Sequence, residues 1–233
     1  MKNYKLTYTI FGEKGSGKTT LAFSAFKGQK FCFSLDRKAE RIKEYFFNNS
    51  SDITIANTIS NYIRTTEEMT QSARVTYQKI LEEIKNSREK YDWIIIDGLE
   101  KLGEICEMTM RNEYKLSPFQ GIPQTSYWKL RKVLLSSLHQ NALDAANKGV
   151  IYTTFSKVED IYIEDGQVIE RREMPKYFDM IEEETDVLLK TFMKMSKDDT
   201  RFFLRVSTSK LPRYKTGSII DFTRKEVDEN ADK

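Results

Sequence analysis

Eight residues near the start of the chain, Gly12-Glu13-Lys14-Gly15-Ser16-Gly17-Lys18-Thr19, constrain its fold more than any other feature. The pattern places glycines where backbone amides must converge on phosphate groups, because side chains there would collide with the ligand. It also requires a strand before it and a helix after it. Both are predicted. Leu6-Thr7-Tyr8-Thr9-Ile10-Phe11 is rich in β-branched and aromatic residues, and Lys18 to Phe26 reads as a helix. The loop therefore implies binding and hydrolysis of a purine nucleoside triphosphate, ATP, with Mg²⁺. Gly12, Glu13, Lys14, Gly15, Ser16 and Gly17 supply the backbone that wraps the phosphates. Lys18 reaches the β and γ phosphates, Thr19 holds Mg²⁺ through its hydroxyl, and Thr20 lies beside the α phosphate.

The rest of the pattern alternates strand and helix. Lys30 to Asp36 reads as a second strand ending in an acid, and Asp52 to Ala56 as a third. Thr65-Thr66-Glu67-Glu68 has the form of a capping box ahead of a long amphipathic helix that ends near Arg88. Trp93-Ile94-Ile95-Ile96-Asp97 is an apolar run closed by an acid, as expected of a central strand buried on both faces. Asp97 is thus the natural Walker B carboxylate, able to hold the metal's water shell beside Thr19. A further helix runs from about Tyr127, and Gly149 to Thr154 is another strand. Ile161 to Ile169 alternates about Asp165-Gly166, a hairpin signal. Two late strands, Asp186 to Met195 and Arg201 to Ser207, flank the Lys197-Asp198-Asp199 turn. The expectation is an α/β fold with a mostly parallel central sheet flanked by helices and antiparallel strands toward the C-terminal part.

A chain of 233 residues fits one such domain, assigned to residues 1–222, with a polar, flexible tail over 223–233. A net charge of +3 is mildly basic and falls short of a dedicated nucleic-acid binder. Two cysteines, Cys32 and Cys106, give no disulfide framework or paired metal-ligand spacing and point to a reducing, cytoplasmic location. No apolar run is long enough to span a bilayer, so no membrane association is expected.

Hydrolysis needs a group that orients the attacking water, and Asp36, Glu40 and Glu100 are all placed for it. Thr153 and Thr154, at a strand's carboxyl end, are where a γ-phosphate sensor would sit. Ser207 to Gly217 gathers Lys210, Arg213 and Lys215 around a proline and reads either as a solvated basic loop or as a finger into a neighbouring subunit's nucleotide site, the latter implying a ring or filament. Two segments are candidates for meeting nucleic acid: Arg111 to Gln124, with Tyr114, Lys115 and Phe119, and the hairpin with Arg171-Arg172. His139, the only histidine, is read as a packing or surface residue.

With these residues in place, the chain resembles the RecA-like P-loop ATPases. Among these it is most similar to compact phage and archaeal-virus nucleotide-binding proteins linked to single-strand annealing and recombination. The resemblance spans about Leu6 to Gly217. It rests on the early P-loop, Asp36 at the end of the second strand, Asp97-Gly98-Leu99, Tyr127-Trp128, Asp186-Val187-Leu188-Leu189 and the basic segment ending in Lys215-Thr216-Gly217. It implies a DNA-stimulated ATPase acting on single-stranded DNA, assembled with shared nucleotide sites. The sequence departs from the family at Lys38, where the resemblance would place the water-activating glutamate, so Glu40 or Glu100 takes over or hydrolysis is slow. Because the P-loop begins at Gly12, assembly is expected to use core surfaces. A P-loop nucleoside or small-molecule kinase, and a nucleotide-switched binding protein with little turnover, are the competing expectations.

Overall fold

The computed structural model describes residues 4–56, 62, 68–162, 168–176, 181–197 and 199–223. In chain order the elements are β1 (Leu6–Gly12), α1 (Lys18–Ser24), β2 (Lys30–Ser34), α2 (Ala39–Phe47), β3 (Ile53–Ala56), α3 (Met69–Asn86) and β4 (Trp93–Asp97). They continue with α4 (Leu99–Glu113), α5 (Trp128–Ala145), β5 (Gly149–Tyr162), β6 (Val168–Pro175), β7 (Val187–Met195), β8 (Thr200–Ser209) and β9 (Ile219–Asp221). The strands pair in the order β3-β2-β4-β5-β1-β7-β8-β9, with β6 joined to β5. From β3 to β7 every pairing is parallel. β8, β9 and β6 pair antiparallel. This is the expected α/β core, a mostly parallel sheet with antiparallel strands toward its C-terminal part.

The apolar runs explain why these segments lie inside. All five residues of β4 are buried. Ile94 and Ile96 pack with Phe31, Phe33, Val150 and Tyr152 in the layer beneath α3, α4 and α5. Trp93 and Ile95 pack on the opposite face with Tyr8, Ile10, Cys32 and Ile151, beneath α1. Each fully buried aliphatic side chain contributes about 1.5–3 kcal/mol relative to exposure. The helical stripe of α3 delivers Ala73, Tyr77, Ile80 and Ile84 to the first layer, as its periodicity requires.

Several boundaries differ from expectation for local reasons. β2 stops at Ser34 because the Leu35 amide turns to the carbonyls of Phe33, at 3.1 Å, and Asp97, at 3.0 Å. Asp36 therefore lies in a turn, where its Oδ1 accepts the Lys38 amide at 3.1 Å. β5 runs on past Thr154 because its second half pairs with β6, which bears out the hairpin strands, while the Asp165-Gly166 turn lies outside the described residues. Thr65 of the capping box also lies outside them, and Glu68, which precedes α3, makes no side-chain capping bond. The tail expected beyond residue 222 is described only as far as Thr223. β9 has too little pattern to be read from sequence and is held by its pairing with β8.

Gly149 begins β5 opposite Leu6 of β1. A Cβ added there would stand 1.9 Å from the Leu6 carbonyl oxygen, at a φ of +152°. Gly149→Ala is expected to cost on the order of 3 kcal/mol in urea unfolding, whereas Gly121→Ala, which meets nothing within 4 Å, should stay within about 0.5 kcal/mol of the parent.

Candidate nucleotide site

The loop between β1 and α1 sits at the carboxyl edge of the parallel sheet. There β5, between β1 and β4, brings Thr153 level with Asp97 and Phe155 level with Gly12. α1 turns Thr19 inward, so its hydroxyl donates to Asp97, 2.9 Å from Oδ1 and 3.1 Å from Oδ2. Thr153 donates to Asp97 Oδ1 at 2.5 Å and accepts the Gly98 amide at 3.1 Å. Asp97 is 2% exposed. Burial pushes its carboxyl up to about 6, with Asp36 adding to the rise and Thr153, Thr19 and Lys18 opposing it.

Lys18 folds back onto the loop, donating to the carbonyls of Gly12 at 3.0 Å and Glu13 at 2.7 Å. Its ammonium lies 4.5 Å above the centre of the Phe155 ring. Burial lowers its pKa, and the carboxylates of Asp97, Glu100 and Asp36 work against that lowering. Gly15 and Gly17 take φ values of +82° and +84°. Ser16 ties the loop down: its hydroxyl donates to the Glu13 carbonyl at 2.8 Å and lies 2.7 Å from that of Thr191 on β7. Glu13, Lys14 and Gly15 are exposed, and Thr20 is half-buried on α1.

Thr19 and Asp97 form a pair of hard oxygen donors. No group of three or more His, Cys, Asp or Glu able to hold a metal exists among the described residues. Such a pair fits Mg²⁺, which is ordinarily held by one or two protein oxygens together with phosphate and water oxygens.

The three carboxylates considered for water activation have different partners. Asp36 pairs with the Lys38 ammonium at 3.4 Å. Glu40 turns back toward Ser34, whose hydroxyl donates to Oε2 at 3.4 Å, while its buried Oε1 has no hydrogen-bond partner among the described residues. Glu100, at the start of α4, lies 3.2 Å from the Thr154 hydroxyl, which also reaches the Lys176 carbonyl at 2.8 Å. A cavity of about 420 Å³ opens there, lined by Asp36, Lys38, Tyr62, Glu100, Lys101 and Phe155.

Other candidates are placed differently. The Thr153 hydroxyl is committed to Asp97, and the Thr154 hydroxyl to Lys176 and Glu100. Neither projects as a lone phosphate sensor. Lys210 follows β8, whose end pairs with the start of β7, and donates to the Glu183 carbonyl. Arg213 donates to the Tyr8 hydroxyl at 3.1 Å and lies 5.0 Å from the centre of the Tyr214 ring. Tyr8 is four residues before Gly12, roughly 13 Å along a strand. Both cations therefore stand at the far end of the sheet from their own chain's P-loop.

Arg111 is turned into its own chain. It is 8% exposed, ion-paired to Glu107 at 3.0 Å, and donates to the carbonyls of Ser117 at 3.2 Å and Gln120 at 2.6 Å. Those carbonyls belong to a loop without regular partners, and the guanidinium satisfies them. Arg171 pairs with Asp160 across the hairpin at 2.8 Å. His139, 6% exposed, bonds Tyr152 at 2.8 Å and is a packing residue as expected. The grip of Thr153 on Asp97 and of Thr191 on Ser16 gave no sequence signal, since threonine is common in strands and only register exposes the pairing.

No helix among the described residues is long and apolar enough to cross a membrane. A family model described as an AAA domain matches residues 4–224. No curated protein matches the chain. Among solved structures, a KaiC-like protein from Pyrococcus horikoshii OT3 is similar over 94% of this chain and 90% of its own, at 11% identity and a TM-score of 0.48. The flagellar accessory protein FlaH from Methanocaldococcus jannaschii is similar over 93% and 84%, at 12% identity and a TM-score of 0.46.

The elevated Asp97 pKa fixes the sign of a stability effect in the protein free of metal and nucleotide. An unfolded aspartate ionises near 3.8 and the folded one near 6. The stability contributed by the protonated form is thus full below the lower value and is lost as pH rises through the upper one. Asp97→Asn removes the charge and keeps an acceptor oxygen. It should be more stable than the parent by about 2–3 kcal/mol at pH 8, with the advantage shrinking toward pH 4, as read from urea midpoints at both pH values.

Proposed function

The chain belongs to the AAA-domain family, and from that premise we propose that it is a Mg²⁺-dependent ATPase that acts on single-stranded DNA in recombination, annealing or replication. The observation that carries the ATPase reading is the direct Thr19–Asp97 contact at the base of a complete P-loop, because it joins a phosphate-binding loop to the acid that ends a central strand. In this reading Gly12 to Thr20 hold the triphosphate, with Lys18 leaving its carbonyl partners for the β and γ phosphates. Thr19 and Asp97 would hold Mg²⁺, which when bound neutralises charge on the phosphate oxygens.

For water activation the geometry favours Glu100 over Glu40. Glu100 contributes to the field at Lys18 and lines the adjoining cavity, whereas Glu40 is turned to Ser34. The position of Lys38, ion-paired to Asp36 beside that cavity, supports a second reading in which turnover is slow and the bound nucleotide acts mainly as a switch.

Single-stranded DNA is proposed from exposed and half-buried aromatics interleaved with cations at the turn from α4 to α5. Tyr114 and Tyr127 stack with centroids 3.8 Å apart, Phe119 is 73% exposed, and Arg131 lies over Trp128. Bases stack on such rings while cations follow the phosphates. Lys210 and Arg213 stand far from their own P-loop, so any part they play in hydrolysis is played in a neighbouring subunit of a ring or filament.

ATP hydrolysis measured with and without single-stranded DNA tests these roles. Lys18→Ala should fall to background, and Glu100→Gln should lower kcat by about 10²-fold or more while Glu40→Gln changes it little. A reversed order would assign the water to Glu40. DNA should raise the rate, and its binding should weaken steeply with salt. A DNA-independent rate with phosphate passed to an added nucleoside would establish the kinase alternative. For shared sites, mixing Arg213→Ala with Asp97→Ala should recover activity that neither has alone, and no recovery would count against sharing.

A further inference from the structure

β9 buries almost nothing. Its three residues are exposed, with Ile219 at 58% and Ile220 at 51%, and among the described residues it pairs with β8 alone, at the sheet's edge. That pairing sets the position of the two residues beyond it. The Phe222 amide donates to the Phe202 carbonyl at 2.9 Å, and the Phe202 amide donates to Thr223 Oγ1 at 2.8 Å. These bonds fix two phenyl rings side by side, with centroids 6.2 Å apart and planes inclined by 45°. Both rings lie against the P-loop: a Cβ built on Gly17 would stand 3.2 Å from Phe222 Cε2 and Cζ and 3.4 Å from Phe202 Cδ1. Each residue is half-buried, and Phe222 also packs against the core layer beneath α1.

The geometry points to Phe202 and Phe222 as the platform on which the purine ring of the bound nucleotide rests, a reading that builds on the proposed ATP site. A triphosphate held by Gly12 to Thr19, with its α phosphate beside Thr20, sends its nucleoside out of the loop past Gly17, where the two rings stand. On the other side, Lys18 lies over Phe155 beside the cavity of Lys38 and Glu100, which is the γ-phosphate end. The two ends of the ligand are thus assigned to different parts of the sheet: phosphates to the carboxyl ends of β1, β4 and β5, and base to the antiparallel edge of β8 and β9. Stacking on phenyl rings uses the π-face that every base has and tolerates differences at the base edge. The platform therefore does not read the base edge and takes the purine nucleoside triphosphates ATP and GTP alike.

The test is a calorimetric titration with Mg²⁺ and three probes, ATP, GTP and inorganic tripolyphosphate, against the full chain and its Phe222→Ala, Phe222→Leu and Phe222→Tyr variants, each checked for an unchanged circular dichroism spectrum. Phe222→Ala should raise the Kd for ATP and for GTP by about 5- to 150-fold, the range of one base–aromatic stack, and leave the Kd for tripolyphosphate within about twofold. Phe222→Tyr should bind ATP like the parent, and Phe222→Leu, which keeps bulk without a π-face, should fall between. Equal weakening of ATP and tripolyphosphate in the Ala or Leu variant would mean that the ring only props up the loop and would overturn the platform. So would an unchanged Kd for ATP, or a parent chain that binds tripolyphosphate as tightly as ATP. A parent chain that binds neither probe overturns the platform together with the P-loop reading on which it rests.

Discussion

The Asp97 carboxylate is the point on which the rest of the site depends. It lies in the interior at the end of β4, where taking an ion out of water costs several kcal/mol unless donors compensate. Compensation comes from two hydroxyls on two other elements, Thr19 on α1 and Thr153 on β5. Three segments separated by tens of residues are therefore held to one geometry by one charge. The compensation is incomplete, which is why the carboxyl titrates well above an ordinary aspartate, and the Lys18 ammonium is shifted in the complementary direction by the same dry surroundings. Two opposite charges kept close in a low-dielectric pocket, and not fully satisfied by protein partners, suit a site that is completed by a charged ligand.

The loop itself is shaped from a distance. Ser16 is tied to Thr191, 175 residues on, and Gly17 is flanked by rings of β8 and of the residue after β9. The late antiparallel strands thus do more than extend the sheet. They form one wall of the phosphate loop, so a chain that folded only through β5 would present the glycine motif without its lateral support. On the hairpin of β5 and β6, Arg171 pairs with Asp160, and Glu173 pairs with Lys190 of β7.

The cations that looked most functional in the sequence proved the least predictable. Arg111 is spent on the carbonyls of the loop after α4, and Lys210 and Arg213 on a carbonyl and a tyrosine near the amino end of the sheet. A basic residue beside a proline or an aromatic reads alike whether it faces water, a partner or an unsatisfied carbonyl of its own chain. Which of these it meets depends on where the irregular backbone runs, and periodicity carries no information about that.

The sequence by itself determined the P-loop, the buried strand ending in Asp97, the alternation that makes the sheet parallel, and the antiparallel return near the C-terminus. Each is a local pattern: glycine spacing, a continuous apolar run, or a change of period from 3.6 to 2. Tertiary structure alone decided that Thr153 meets Asp97, that β2 ends before Asp36, that Glu100 and Glu40 face different neighbours, and that Phe222 lies against Gly17. These depend on the register of parallel strands that are not adjacent in the chain. A shift of one residue in that register would exchange every inward side chain for its outward neighbour while leaving the sequence pattern unchanged.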